Sequence, residues 1–174
     1  MVIEIIKIGN KEIKNFGKPF VIAEIGMNHN GDVALAKKII DAAVEAGADC
    51  AKFQSWTKGS LFSKKVYEKN NALENDIDLY SFGKENVLNT YRELKAYCDQ
   101  RGIMFGTSVF NEAEADFFAD ELKVDFIKIA SMDVNHLPFL DYLAKKGKPL
   151  ILSTGLSDLS EIAEAVQTIT KHNQ

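Results

Sequence analysis

Two lysines stand inside apolar runs of this chain. Asp49-Cys-Ala-Lys52 and Asp125-Phe-Ile-Lys128 share the pattern Asp-x-x-Lys, each within a stretch otherwise suited to a buried strand. An unpaired ammonium is costly to bury, so both lysines require anions. Either the chain's own carboxylates serve, with Glu24 and Asp133 as candidates, or the two lysines share a ligand's phosphate or carboxylate. Glu24 ends the apolar run Phe20-Val-Ile-Ala-Glu24. That setting favours a perturbed acidity and makes it the acid/base candidate, and neutralising the lysines is its alternative role. Gln54 shares a face with Lys52 by the strand period of two. Thr107, Ser131 and the Ser153-Thr154 pair add neutral hydroxyl donors. His29 lies in the turn Asn28-His-Asn-Gly31 without a second ligand at metal spacing, which suits a hydrogen-bonding loop histidine.

The elements that must position these residues alternate regularly. Residues 2–8, the turn pair Gly9-Asn10 and residues 11–16 predict an antiparallel hairpin, followed by a break at Gly17-Lys-Pro19. Five short apolar strands come next, at 20–24, 48–53, 103–107, 124–129 and 149–152, each followed by a helical pattern. Asp32, Asn111 and the Asp158/Glu161 capping box open three of the helices, and Pro138 lies near the first turn of another. Glycines 47, 102 and 147 stop helices. Near-continuous apolar strands separated by helices predict parallel strands covered on both faces. The architectures available are a doubly wound sheet and a parallel (β/α) barrel of the TIM type. No Gly-x-Gly-x-x-Gly follows the first strand, so the dinucleotide-binding version of the open sheet has no support. A full barrel takes about 250 residues, so this chain supplies five of eight βα units. The domain reading is a hairpin over 1–18 and a partial barrel over 19–174. In either architecture the strand C-termini meet at one mouth, where α/β proteins bind ligands. The segment 55–86, polar and weakly periodic, is too long for an ordinary connection. It is either a lid or binding loop at that mouth or a floppy insertion.

Composition narrows the classes. The 174 residues include 46% hydrophobic and 26% charged side chains, as in an ordinary globular domain. Lys and Arg number 21 against 25 Asp and Glu, a net charge of −4. With no basic block, nucleic acid is a poor partner. Cys50 and Cys98 lie in apolar patterns, consistent with reduced thiols and a cytoplasmic location. The charged start is too short and interrupted for a signal peptide or membrane span.

Four segments, in order, resemble the N-acetylneuraminate (sialic acid) synthase family: Ala23-Glu-Ile-Gly-Met-Asn-His-Asn-Gly-Asp32, Ala46-Gly-Ala-Asp-Cys-Ala-Lys-Phe-Gln54, Lys128-Ile-Ala-Ser131 and Gly147-Lys-Pro-Leu-Ile-Leu-Ser-Thr-Gly155. The resemblance spans about residues 2–170. It implies a (β/α)₈ barrel whose lower end is closed by a hairpin. It implies condensation of phosphoenolpyruvate with an N-acyl hexosamine, N-acetylmannosamine or a bacterial di-N-acylated analogue, to a nine-carbon α-keto acid and phosphate. By motif, Glu24 is the expected catalytic carboxylate, and Lys52, Thr107, Lys128 and Ser131 the expected phosphoenolpyruvate ligands. Gln54 and Asp133 are expected to contact the sugar, and Ser153 joins the substrate-binding set as a donor at the fifth strand end. The family usually has Glu where this chain has Asp133, which bears on the sugar accepted. The resemblance also implies a divalent cation, Mn²⁺ or Mg²⁺, with its histidine ligands outside this chain, and a homodimer completed by a C-terminal antifreeze-like domain. On this reading the chain is a piece of a longer protein. Two alternatives stand beside it, another phosphoenolpyruvate-using keto-sugar-acid synthase and a non-catalytic half barrel that binds anions.

Overall fold

A computed structural model describes residues 5–56, 63–69 and 87–173. Strands β1 (Ile5–Ile8) and β2 (Lys11–Lys14) form the expected hairpin, antiparallel in register Ile5↔Lys14 to Ile8↔Lys11. The turn needs a left-handed residue, and Gly9 supplies it with φ +56°.

Five further strands follow: β3 (Ile22–Gly26), β4 (Cys50–Gln54), β5 (Met104–Val109), β6 (Ile127–Ile129) and β7 (Leu150–Leu152). They pair in parallel, in the unbroken order β3-β4-β5-β6-β7. That order decides between the two architectures. A doubly wound sheet reverses its strand order at a switch point, whereas a barrel adds each strand beside the last. The chain is therefore five successive units of a (β/α) barrel preceded by a hairpin.

The helices are α1 (Val33–Glu45), α2 (Lys64–Lys69), α3 (Val87–Arg101), α4 (Glu112–Asp116), α5 (Leu137–Ala144) and α6 (Leu159–Thr170). Their starts were legible as capping chemistry. Asp32 accepts from the N–H groups of Ala34 and Leu35, Asn111 from Glu114, and Asp158 and Glu161 form a reciprocal capping box. Two details were not anticipated. α4 runs on as a single π-helical turn, Phe117–Glu121, and the weakly periodic segment 55–86 contains α2. The rest of that segment, apart from residues 55, 56 and 63, lies outside the described residues. Among the described residues, no helix is long and apolar enough to cross a membrane.

The period of two sorts strand side chains onto two apolar faces. Ala51, Phe53, Phe105, Val109, Ile127 and Ile129 pack outward against Ile40, Leu94, Phe118 and Leu140 of the helical layer. Phe53, Phe105 and Phe118 stack with centroids 5.4 and 6.2 Å apart. Inside the curve, Cys50 and Phe126 pack with Ile8 of β1, joined by Ile13, Phe20, Ile22 and Ile151. The hairpin therefore plugs the lower end of the sheet. Asp49 ties the two together, pairing with Lys11 at 3.0 Å and accepting from the Val21 N–H. Both cysteines are buried free thiols, whose pKa values desolvation pushes well above the usual thiol range.

Candidate active site

Above this plug the inner face turns polar. Lys52, only 5% exposed, stands on β4 with Cys50 below it and Gln54 above. Its Nζ lies 2.7 Å from Glu24 Oε2 and donates to Ser108 Oγ at 3.2 Å. The two strands register Glu24 directly against Lys52. Beyond that pair β3 bulges, because Gly26 and not Ile25 aligns with Phe53. A bulge re-aims the strand end it interrupts, and Gly26 accommodates this one at φ +56°. The Glu24 side chain is half exposed, and its Oε1 accepts from Gln54 Nε2 at 3.4 Å.

Lys128 stands on β6, registered against Ser108 of β5. Its ammonium donates to Ser153 Oγ at 2.6 Å and to the Ile129 carbonyl at 2.5 Å. Both acceptors are neutral, and among the described residues no carboxylate lies within ion-pair distance of Lys128. Burial, then the nearby Lys52 charge, holds the Lys128 ammonium below the usual lysine range, with Glu24 and Asp133 opposing. The two lysines thus differ. Lys52 is matched by a protein carboxylate, as one of the two sequence readings allowed, and Lys128 has neutral partners.

Glu24, Lys52, Gln54, Ser131, Lys128 and Ser153 line one cleft of about 530 Å³. Six of the eight expected site residues are therefore brought together. Thr107 is not. It registers against Phe53 on the outward face, and its buried hydroxyl donates to the Ser108 carbonyl. Ser108, one residue on, is the hydroxyl that faces the lysines. Register from Lys52 and Gln54 would have selected it, since Gln54 pairs with Ser108. Asp133 is also displaced. It ends a 3₁₀ turn, Ser131–Asp133, in which Ser131 and Met132 reach the cleft. Its Oδ2 is buried without a hydrogen-bond partner among the described residues, and burial raises its carboxyl above the usual range.

Three apolar side chains at the cleft carried no signal in the sequence: Trp56, Phe110 and Met132. The β4 exit that carries Trp56 is fixed by Ser55, whose hydroxyl donates to the Ser108 carbonyl at 2.7 Å, and by Tyr91, which donates to the Gln54 carbonyl. The β3 exit is fixed by His29. The ring is fully buried against Phe53, its Nδ1 accepts from the Gly31 N–H at 3.0 Å, and desolvation pulls its pKa from 6.5 to about 4. This neutral imidazole is the hydrogen-bonding loop histidine expected. Among the described residues, no three His, Cys, Asp or Glu side chains gather to hold a metal.

An unbroken parallel sheet with two lysines and a carboxylate at its C-terminal mouth defines a protein of the (β/α)-barrel class with a polar cleft at its strand ends. The sequence model of the NeuB family matches residues 39–174, and the chain belongs to that family. It is 37% identical over 163 residues to N-acetylneuraminate-9-phosphate synthase of Homo sapiens, covering 88% of this chain and 44% of that protein. It is 40% identical over 156 residues to N,N'-diacetyllegionaminic acid synthase of Legionella pneumophila, covering 86% and 43%. The crystal structure of N-acetylneuraminic acid synthetase from Leptospira borgpetersenii superposes with a TM-score of 0.81 at 30% identity, over 97% of this chain and 55% of that one. A truncated 3-deoxy-D-arabino-heptulosonate 7-phosphate synthase from Thermotoga maritima shares the fold, with a TM-score of 0.67 at 16% identity. The chain spans about half the length of the curated relatives it matches.

Proposed function

We propose that this chain carries the phosphoenolpyruvate site of a nonulosonic acid synthase, which joins phosphoenolpyruvate to an N-acyl hexosamine and releases phosphate. The observation that carries it is the pair of ammonium groups in one cleft, of which Lys128 has neutral partners. Phosphoenolpyruvate has two anionic ends, a phosphate and a carboxylate, and each calls for a charge-assisted donor. Lys128, Ser131 and Ser153 form one donor set, and Lys52 with Ser108 the other. Such fixed donors at a mouth lined partly by apolar groups act at reduced dielectric and need little reorganisation.

C3 of phosphoenolpyruvate then attacks the sugar aldehyde, C2 takes up water, and phosphate leaves with the bridging oxygen. Glu24 is the carboxylate that meets developing positive charge at C2, or moves the proton of the incoming water. Its contact with Lys52 holds it in place. A divalent cation, Mn²⁺ or Mg²⁺, belongs to the proposal with ligands outside the described residues, and when bound it would polarise the aldehyde. A cytoplasmic homodimer of full-length chains completes the reading.

The test uses the full-length protein and phosphoenolpyruvate labelled with ¹⁸O at the bridging oxygen. Incubation with N-acylated hexosamines should give a nine-carbon keto acid and labelled phosphate. Label retained in the keto acid refutes C–O cleavage, and no phosphoenolpyruvate consumption with any such sugar refutes the function.

A further inference from the structure

Lys52, Ser108 and Lys128 lie within β4, β5 and β6 and form the polar floor of the cleft. Ser108 is the middle member. It registers against Gln54 on one side and Lys128 on the other, and its Oγ accepts from the Lys52 ammonium at 3.2 Å. Buried side chains converge on its backbone. The Ser108 carbonyl accepts from the Ser55 N–H at 3.3 Å, the Ser55 hydroxyl at 2.7 Å and the Thr107 hydroxyl at 3.1 Å. A carbonyl oxygen offers two lone pairs, so three donors saturate this one. Two residues on, the Phe110 N–H donates to Glu114 Oε2 at 2.8 Å. Ser55, Thr107 and Glu114 are all buried, and none of the three lines the cleft.

Burying a hydroxyl costs free energy that its hydrogen bond then has to offset. Alanine at 55 and valine at 107 would fill nearly the same space without that cost. What the two hydroxyls add is direction. The Ser55 N–H already continues the backbone ladder from β4 to β5. The hydroxyls close on the same oxygen and fix the peptide plane that leaves Ser108, and with it the direction of the Ser108 Cα–Cβ bond. Hydrogen bonds weaken steeply once misaligned, so that direction decides whether Ser108 Oγ stays on Lys52. We infer that Ser55 and Thr107 are positioning residues for phosphoenolpyruvate. Through the Ser108 carbonyl they hold the Ser108 hydroxyl beside the Lys52 ammonium, so that both groups meet one anionic end of the ligand already oriented. The inference rests on the floor being the phosphoenolpyruvate site. It replaces the ligand role that the family motif implied for Thr107 with one exerted from behind the strand, and it brings in Ser55, whose side chain lies outside the cleft.

The experiment is a set of double-mutant cycles in the full-length enzyme. Ser55→Ala and Thr107→Val each remove one hydroxyl with little change of shape. Each should lower kcat/KM for phosphoenolpyruvate about 3- to 10-fold, the range for one lost hydrogen bond. The KM for N-acetylmannosamine should stay within about twofold of the parent value. The same substitutions are then made in a Ser108→Ala background. With no Ser108 hydroxyl left to aim, neither should lower kcat/KM for phosphoenolpyruvate by more than about twofold further. Any loss of Tm should persist there, because the Ser108 carbonyl is still present. A purely structural role requires the reverse, equal losses of kcat/KM with and without the Ser108 hydroxyl. Undiminished losses in the Ser108→Ala background, or normal kcat/KM for phosphoenolpyruvate in the single variants, overturn the inference. Either position decides by itself should substitution at the other prevent folding. Failure of the underlying reading would show differently, as unimpaired phosphoenolpyruvate use when Lys128 is replaced.

Discussion

At the residue scale, Lys128 and His29 make opposite demands on charge. Lys128 keeps its ammonium in a half-buried place with neutral partners, so an incoming anion gains an electrostatic contact without breaking an ion pair. Lys128→Met in the full-length enzyme should lower kcat/KM for phosphoenolpyruvate about 10- to 150-fold, from roughly 1.5–3 kcal/mol per charged hydrogen bond. Lys52→Met should fall in the same range and also lower Tm, because it strands the Glu24 carboxylate that Lys52 holds. Normal kcat/KM in both variants would remove the anion site. His29 must instead stay neutral. Its folded pKa of about 4 lies below the ordinary 6.5, so the unfolded chain binds the extra proton between those values. The resulting stability is fully present above pH 6.5 and is lost as pH falls towards 4. The loss between pH 7 and pH 5 is about 2 kcal/mol. Urea unfolding at the two pH values should show this loss in the parent and a reduced loss in His29→Asn, which cannot titrate. Equal losses in both would assign the pH dependence elsewhere. The types of these residues were visible in the sequence, because lysine, glutamate and histidine are conspicuous in apolar surroundings. Their partners were visible only in part, since Glu24 was a candidate for Lys52 but the hydroxyl partners were not resolved. Thr107 and Ser108 are adjacent hydroxyl residues, and only the register of β4 with β5 tells which one faces Lys52.

Elements were legible where a local rule fixes them. The caps at Asp32, Asn111 and Asp158 each satisfy orphan N–H groups of a first turn, a requirement independent of the rest of the fold. The parallel strands were legible from their continuous apolar character. What the sequence could not express is the layer that forms when strands come together. Gly106 shows this. It lies on the inner face in register with Lys52, where an added Cβ would stand 2.6 Å from Phe126 Cζ and 2.9 Å from Cys50 Sγ. The glycine is there because the ring that plugs the barrel crosses beneath the lysine, a contact between residues 20 positions apart. Gly106→Ala should therefore destabilise by about 1–3 kcal/mol, the usual cost of overpacking a filled core. A lower urea midpoint with an unchanged slope checks it. An unchanged midpoint would mean that Phe126 yields at no cost. Trp56, Phe110 and Met132 escaped for the same reason. They are far apart in sequence and ordinary in type, and become a rim only where three strand exits converge.

At the scale of the molecule, the sheet has two ends. β3 and β7 each have one strand neighbour among the described residues, whereas a closed barrel gives every strand two. An open edge presents unpaired backbone donors and acceptors, and such edges invite pairing with another chain. The polar floor is present in these 174 residues, since Lys52, Ser108, Lys128 and Ser153 all lie on β4–β7 or at their ends. Among the described residues no strand pairs with β7 on its far side, and the relatives matched are about twice as long. Binding and turnover should therefore separate. The 174-residue chain by itself should release no phosphate from phosphoenolpyruvate and N-acetylmannosamine, with or without Mn²⁺, under conditions in which the full-length enzyme turns over. Sedimentation velocity should show mass rising with protein concentration as edges pair. Phosphate release by the isolated chain above the no-enzyme rate, with a single monomeric boundary at all concentrations, would show that five βα units make a closed and competent site, and the division of labour between this half and the rest of the barrel would have to be abandoned.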